Sequence, residues 1–140
     1  MKTIKFSGVI FIAMLSFIIT SCAQIEPFQS SSMVPGAQGK VKVKQDSNKN
    51  FDINVSINDL ADIKQLDETK DTYVVWMETK QGNTVNLGQL KSSRGIISGQ
   101  RKASLETVSP YEPFRVFITA EHGLNTKVPG RQVVLSTETF

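Results

Sequence analysis

Apolar and polar residues alternate through much of the chain after residue 39. FDINVSIN, residues 51–58, places four apolar side chains on one face and four polar ones on the other. This alternation with a period of two is typical of a half-buried strand. GKVKVKQ, residues 39–45, alternates likewise, and DSNKN between the two segments supplies turn residues. The pattern therefore predicts a β-hairpin.

A second pattern is apolar on both faces. TYVVWMETK, residues 72–80, carries apolar side chains at consecutive positions, which predicts a strand covered on both sides. QGN then supplies a turn, and TVNLGQL, residues 84–90, is predicted to pair back as a hairpin. PFRVFITAEH, residues 113–122, alternates over its whole length and predicts another strand.

The remaining segments give weaker signals. GIISG (95–99) and KASLETV (102–108) read as weaker strands, and QVVLSTET (132–139) as the last strand. Val128-Pro129-Gly130-Arg131 before it predicts a type II turn, with proline second and glycine third. NDLADIKQLDET (58–69) has the only helical spacing, and its length allows at most one or two turns.

Together these patterns predict an all-β domain over residues 39–140. About seven or eight short strands, separated by frequent turns, favour an immunoglobulin-like β-sandwich.

The N-terminal residues lack the alternating pattern of the predicted strands. Lys2 and Lys5 precede 16 uncharged and mostly apolar residues, 6–21. A membrane-spanning helix needs about 20 residues, whereas the apolar region of a secretory signal is of this shorter size. Residues 1–21 are therefore predicted to be a signal peptide.

The end of this segment, Ile19-Thr20-Ser21-Cys22, resembles the lipobox of bacterial lipoproteins, an apolar residue and two small residues before a cysteine. The resemblance implies a diacylglycerol on the Cys22 sulfur, cleavage before Cys22, and an acylated new amino terminus, so palmitate is an expected constituent. It also implies a cell-envelope location, lipid-anchored on the extracytoplasmic side. Ala23 is not an aspartate, which by analogy with Gram-negative sorting favours the outer membrane. An ordinary cleaved signal with an incidental cysteine and an uncleaved anchor are the alternatives.

The next segment, residues 22–38, has one charged residue, two prolines and three consecutive serines. Without apolar periodicity, it is predicted to be a flexible, lipidated tether. The predicted organisation is a signal peptide (1–21), this tether (22–38) and a β-sandwich domain (39–140).

Charge and cysteine content exclude several classes. The formal net charge is +3, and a chain starting at Cys22 would lack the charges of Lys2 and Lys5 and would carry +1. This balance gives no argument for nucleic-acid binding. Lys40, Lys42 and Lys44 alternate with valines, which fits the solvated face of a strand. One cysteine excludes an intramolecular disulfide and a cysteine-cluster metal site within one chain.

Candidate chemistry in the domain is sparse. The single histidine, His122, has no recognisable catalytic partner or set of metal ligands and fits a surface turn. We therefore predict no catalytic residue, no cofactor site and no metal site. Trp76, Phe114, Phe117 and Tyr111 could line a ligand groove, but a core position is favoured for Trp76.

One segment is basic. KSSRGIISGQRKAS contains Lys91, Arg94, Arg101 and Lys102 among small residues. It could bind an anionic surface such as lipid headgroups or an acidic glycan, although a solvated loop or edge strand is favoured.

Three segments together resemble a known family. Residues 73–90, 113–121 and 128–136, with the spacing of Trp76, Leu87-Gly88 and Glu121, look like the extracytoplasmic C-terminal domain of anti-sigma-K factors. The resemblance covers residues 73–136 well and 39–72 loosely. It implies a β-sandwich outside the cytoplasm. It does not imply sigma-factor inhibition, because the family's cytoplasmic helical region and membrane span have no counterpart in this sequence.

The expected function is that of a membrane-anchored envelope lipoprotein with a non-catalytic, binding or sensor-like domain. Its partners would be the membrane and an envelope protein or anionic surface. One alternative is a regulatory partner of a separately encoded anti-sigma factor. Another is an enzyme of unrecognised type, which requires a pocket with convergent polar groups.

Overall fold

The computed structural model describes residues 22–94 and 101–140, which form a two-layered β structure. These described residues contain nine strands and one short helix. In chain order they are β1 (Gln24–Pro27), β2 (Gln38–Gln45), β3 (Phe51–Asn58), α1 (Ile63–Leu66), β4 (Thr72–Thr79), β5 (Thr84–Gln89), β6 (Lys91–Arg94), β7 (Arg101–Ser109), β8 (Pro113–Glu121) and β9 (Val133–Ser136).

The strands form two antiparallel sheets. Sheet 1 has the order β1-β2-β3-β7-β6, and sheet 2 has the order β5-β4-β8-β9. The order β2-β3-β7-β6 is the A-B-E-D order of an immunoglobulin sheet, and β5-β4-β8-β9 is C′-C-F-G. The predicted all-β, immunoglobulin-like sandwich is confirmed, with β1 as an additional strand.

The two predicted hairpins are present. Strands β2 and β3 pair along their whole length, from Gln38 opposite Asn58 to Gln45 opposite Phe51. In the turn between them, Asp46 Oδ1 accepts hydrogen bonds of 2.8 Å from the backbone N–H groups of Asn48 and Asn50. An aspartate that bonds to the following backbone in this way is a common stabiliser of tight turns. Strands β4 and β5 form the second hairpin.

The main core lies between the two sheets. Alternate residues of β2 and β3 face inward and are buried, and they meet the inward residues of β4, β8 and β9. The inward set from sheet 1 includes Val41, Val43, Ile53, Val55 and Ile57. The period-two pattern of these strands therefore identified the core-facing side correctly.

A second, smaller cluster lies on the other side of sheet 2. Val74, Trp76 and Phe117 are buried there, and they contribute nothing to the space between the sheets. The prediction that β4 is covered on both sides is confirmed. Trp76 is buried, as predicted, but in this outer cluster.

The predicted short helix is a single turn. Helix α1 spans Ile63–Leu66, and the Asp62 carboxylate caps its start by accepting from the backbone N–H of Lys64 at 3.0 Å. This agrees with the expected limit of one or two turns. The predicted strand GIISG lies outside the described residues.

Residues 22–38 differ from the flexible tether expected for them. Gln24–Pro27 form β1 along the edge of β2, and Val34 and Ala37 are buried in the main core. The edge of β2 offers unpaired backbone groups, which a polar, proline-containing segment can satisfy without an apolar pattern of its own. The described domain therefore includes most of this segment.

The predicted type II turn at residues 128–131 is wrong. That turn needs a positive φ at its third residue, and Gly130 is not among the residues with positive φ. The Gly130 N–H instead donates to Glu121 Oε1 at 2.7 Å. A Cβ at this position would lie 3.0 Å from both carboxylate oxygens, so the glycine allows a close approach.

Candidate functional site

Cys22, the predicted lipidation site, lies at the start of the described chain. It is exposed and is a free cysteine. Gln24, two residues later, is paired with Val43 in β2. Since consecutive Cα atoms are about 3.8 Å apart, two residues span at most about 7 Å. A group attached to the Cys22 sulfur would therefore be held close to the edge of sheet 1.

The outward face of sheet 1 carries five lysines, which we call the lysine face: Lys40, Lys42, Lys44, Lys91 and Lys102. The registers place them on one side. Lys40 lies across from Ser56, Ser56 from Ser104, and Ser104 from Lys91. All five residues are exposed. The prediction that Lys40, Lys42 and Lys44 lie on the solvated face of a strand is confirmed.

Three cations of the predicted basic segment, Lys91, Arg101 and Lys102, do not act as one group. Lys91 and Lys102 belong to the lysine face, whereas Arg101 lies on the alternate side of β7 and donates to Gln65 Oε1 of α1 at 3.0 Å. Arg94 pairs with Arg101 through the backbone of β6 and β7. Arg101 thus links the start of β7 to α1, a structural role that the basic pattern did not indicate.

Few acids oppose the lysine face. Asp52 and Glu106 are the carboxylates that share this side of β3 and β7, and Glu106 accepts a hydrogen bond of 2.9 Å from Asn54. Within 22–94 and 101–140, none of the five lysines forms a salt bridge. Three cations elsewhere, Lys64, Lys80 and Arg115, are paired with carboxylates, and Arg115 binds Glu78 through two nitrogens at 2.6 and 3.2 Å.

A cavity of about 230 Å³ opens at the end of the sandwich beside α1. Its apolar lining comes from both sheets and from the loop that carries α1: Leu60, Ala61, Ile63, Tyr73, Leu90 and Ala103. Polar residues also line it: Asp62, Asp71, Gln89, Ser92, Ser93, Arg101 and Lys102, together with Thr72. Because ligand pockets usually measure about 300–1,000 Å³, this cavity suits a small group rather than a whole metabolite.

Two ionisable groups in the cavity have clear physical partners. Burial, with the nearby charge of Asp62, raises the pKa of Tyr73 to about 12, and its hydroxyl donates to the Ala61 carbonyl at 3.0 Å. A hydrogen bond from Lys64, 2.8 Å away, lowers the pKa of Asp71. Tyr73 is therefore a neutral hydrogen-bond donor and Asp71 a charged, paired carboxylate. Neither is arranged as a nucleophile with an adjacent base.

A chain of hydrogen bonds crosses the outer cluster of sheet 2. Trp76 Nε1 donates to Thr119 Oγ1 at 2.8 Å, and Thr119 donates to Glu121 Oε1 at 2.5 Å. The same carboxylate oxygen accepts from the Gly130 N–H, and all three side chains are buried. This network fastens the loop after β8 onto sheet 2. Trp76 and Glu121 are thus joined through Thr119, which explains structurally why these two residues occur on neighbouring strands.

The Leu87-Gly88 pair has a backbone explanation. The register between β4 and β5 shifts here, because Val75 pairs with Gly88 and Trp76 pairs with Asn86. Leu87 is thus the extra residue of a β-bulge. Gly88 has φ 123°, a value that favours glycine, and its N–H donates to Asn86 Oδ1 at 2.9 Å.

His122 lies at the surface just after β8, as predicted. Its Nδ1 is 2.7 Å from the Thr69 carbonyl, and its Nε2 is 3.4 Å from Lys70 Nζ. Across residues 22–94 and 101–140, no group of three or more histidine, cysteine, aspartate or glutamate side chains could hold a metal ion. No helix in the same residues has the length and apolar character needed to cross a bilayer.

Comparison with known proteins found no match. No protein-family model, curated protein or solved structure is significantly similar to this chain. The resemblance to anti-sigma-K domains thus stays a prediction.

Two features were missed at the level of sequence. The cavity combines residues from both sheets and α1, and only the Leu60–Ile63 spacing indicated an apolar side in that loop. The second buried face of β8 had a clearer signal, since Phe117 precedes Thr119 and Glu121 on it. Alternation did not indicate the burial of that face, because three of its four residues, Arg115, Thr119 and Glu121, are polar.

Proposed function

We propose that this protein is a lipid-anchored protein of the bacterial cell envelope whose β-sandwich binds a partner without catalysis. Cys22 is the residue that carries the lipid. The observation that supports this most is the position of its thiol. It is exposed, it lies two residues before β1, and it directly follows the apolar segment.

The attachment would use the sulfur and the new amino group of Cys22. A diacylglycerol on the sulfur, with or without a third chain on the amine, supplies two or three acyl chains. One chain gives only marginal membrane binding, and a second makes anchoring stable, since each buried CH₂ contributes about 0.8 kcal/mol. The proposed location is the extracytoplasmic side of the membrane, which in a Gram-negative cell is that of the outer membrane.

The binding half of the proposal draws on the cavity beside α1. Its apolar lining and neutral Tyr73 suit a small, largely apolar group, such as one side chain of a protein partner. Two of its polar groups are already engaged, because Tyr73 bonds to Ala61 and Asp71 to Lys64, whereas the buried Thr72 hydroxyl has no hydrogen-bond partner within the described residues. This arrangement favours binding over the enzyme alternative. The alternative, pairing with a separately encoded anti-sigma factor, is supported only by the resemblance of residues 73–136 to the anti-sigma-K C-terminal domain.

The anchor is tested by metabolic labelling in bacterial cells with an alkyne analogue of palmitate. We expect the wild-type chain to take up the label and to lose residues 1–21. Cys22→Ala should abolish labelling completely, because the acceptor sulfur is gone. Ser21→Gly is the matched control, since it keeps a small residue beside the cysteine and should still be labelled. Persistent label on Cys22→Ala, or none on the wild type, would disprove the anchor.

The binding half needs a separate experiment. Crosslinking in intact cells, followed by mass spectrometry, should recover an envelope protein attached to residues around the cavity. Recovery of a membrane-spanning anti-sigma protein would favour the regulatory alternative instead. An absence of any crosslinked partner near the cavity would count against a protein ligand there.

A further inference from the structure

We propose that the lysine face of sheet 1 lies against the membrane that holds the Cys22 lipid and binds the anionic headgroups of its phospholipids. This inference rests on the proposed lipid anchor. It adds the orientation of the domain and the chemical class of lipid that it contacts.

The first argument is the length of chain between the anchor and the fold. Cys22 precedes Gln24 by two residues, and Gln24 is already paired with Val43. The predicted tether would have placed the domain about 20 Å or more from the bilayer. With at most about 7 Å of free chain, the edge of sheet 1 must remain beside the headgroups.

The second argument is the composition of the face next to the anchor. The outward residues of β1 are Ile25, opposite Lys42, and Pro27, opposite Lys40. Ile25 is 52% exposed, so an apolar side chain stands in solvent beside the lysines of this face. An apolar residue beside lysines suits a membrane interface, where it enters the acyl boundary while the ammonium groups contact phosphates.

The third argument is charge. Five lysines share this face with Asp52 and Glu106, and no lysine of the set has a salt bridge in the described part of the chain. Unpaired lysines are attracted to anionic lipid, and each strengthens binding about fivefold near the surface. On sheet 2, by contrast, the outward Arg115 is already paired with Glu78.

The shape of the lysine face also favours a bilayer as the occupant. Its side chains come from β2, β6 and β7, so they spread across strands about 4.8 Å apart rather than converge on a point. An array of separated cations matches a broad surface of phosphates. A compact anion would need convergent donors.

The test uses the mature protein, purified with its lipids from bacterial cells and reconstituted into vesicles. One set contains phosphatidylcholine alone, and the other contains one-third phosphatidylglycerol. A brief pulse of a water-soluble acetylating reagent, followed by peptide mass spectrometry, measures the reactivity of each lysine. The N-terminal peptide reports in the same experiment whether Cys22 carries acyl chains.

We expect Lys40, Lys42 and Lys44 to react about fivefold more slowly on anionic vesicles than on neutral ones. Lys80 and Lys127 lie elsewhere and should react equally on both. Half-molar potassium chloride should remove the protection, because salt screens the attraction between exposed charges.

A pair of triple variants provides the control. Replacing Lys40, Lys42 and Lys44 with glutamine should remove the protection of Lys102, which stays on the same face. Replacing Lys64, Lys80 and Lys127 with glutamine removes the same charge elsewhere and should leave that protection intact. The wild-type comparison between vesicles remains decisive if either variant folds poorly.

Four results would overturn the proposal. Equal reactivity on both vesicles, with an acylated Cys22, would reject docking and leave the anchor in place. Equal protection of all lysines would show a non-specific effect. An N-terminal peptide without acyl chains would reject both proposals. Crosslinks from Lys40 or Lys42 to an acidic protein in cells, without protection on vesicles, would identify a protein as the occupant instead.

Discussion

The side chain of Tyr73 stabilises the fold in two ways. Its ring packs in the main core, and its hydroxyl forms a hydrogen bond. The hydroxyl donates to the Ala61 carbonyl, so the residue ties β4 to the loop that carries α1. Burial and the charge of Asp62 raise the pKa of the hydroxyl to about 12. The fold therefore favours the neutral phenol, and its contribution to stability depends on pH.

This dependence has a definite direction. Since the unfolded tyrosine has a pKa of about 10, the contribution is complete below pH 10 and is lost as the pH rises from about 10 to 12. Tyr73→Phe should cost about 1 kcal/mol at pH 8, through loss of the hydrogen bond. The difference in unfolding free energy between the two proteins should then shrink above pH 10. Urea unfolding at a series of pH values measures it.

Tyr111→Phe is the control for that series, because Tyr111 is exposed and has no such hydroxyl bond within the described residues. Its unfolding free energy should follow that of the wild type. A difference between wild type and Tyr73→Phe that stays constant to pH 12 would contradict the assigned role of the hydroxyl.

At the scale of elements, strand β2 depends on a glycine. Gly39 lies opposite Ile57, and a Cβ there would be 2.7 Å from the Ser56 carbonyl oxygen and 2.8 Å from Ile57 Cγ1. It would also be 3.1 Å from the ring of Phe28. The missing side chain lets Phe28 pack across the strand at the point where β1 ends.

We expect Gly39→Ala to lower the unfolding free energy by about 1–3 kcal/mol, because backbone on the neighbouring strand cannot move away cheaply. Gly36→Ala is a closely matched control three residues earlier, where no heavy atom lies within 4 Å of the added carbon. Chemical denaturation of the two variants compares them. Equal stabilities would show that the strands relax around the extra methyl group.

At the scale of the whole molecule, the N-terminal segment connects the two sheets. After β1 pairs in sheet 1, the Phe28 N–H donates to the Gly39 carbonyl, and the next N–H, of Gln29, donates to Ser136 of β9 at 2.9 Å. Phe28 also forms a bridge with Thr137. The segment thereby closes one side of the sandwich. Whether residues 28 and 29 are ordered is therefore a test of this closure.

Hydrogen exchange followed by NMR should show this connection. The N–H groups of Phe28 and Gln29 should be protected, because both donate to strands, whereas Ser30 and Ser32, exposed with no backbone bond of this kind, should exchange rapidly. Phe28→Ala should reduce the protection of Gln29. If Phe28 and Gln29 exchange as fast as Ser30 in the wild type, the flexible tether is the correct description.

Structural features that arise from neighbouring residues could be predicted from the sequence, whereas features that arise from distant contacts could not. The β2–β3 hairpin and the core face of β8 were accessible, because alternation and turn residues act over a few neighbouring positions. β1 was not, since its order comes from hydrogen bonds to β2 and not from an apolar pattern. The turn around Gly130 was misassigned for a similar reason: a distant carboxylate, Glu121, determines the need for glycine there.

The candidate sites divide in the same way. Cys22 became a candidate from the sequence alone, because the lipobox that it resembles is a linear motif of neighbouring residues. The lysine face required the registers that bring Lys40 on β2 and Lys91 on β6 to one side of a five-stranded sheet.

The sequence alone determined that this chain forms a β-sandwich, where its core faces lie, and that Cys22 is its candidate anchor. These properties depend on residue type and short-range spacing. Only the tertiary structure decided that the expected tether belongs to the fold, that Trp76 and Glu121 share a buried network, and that separated lysines form one face. Each of these depends on residues far apart in the chain, whose proximity arises from strand order and register.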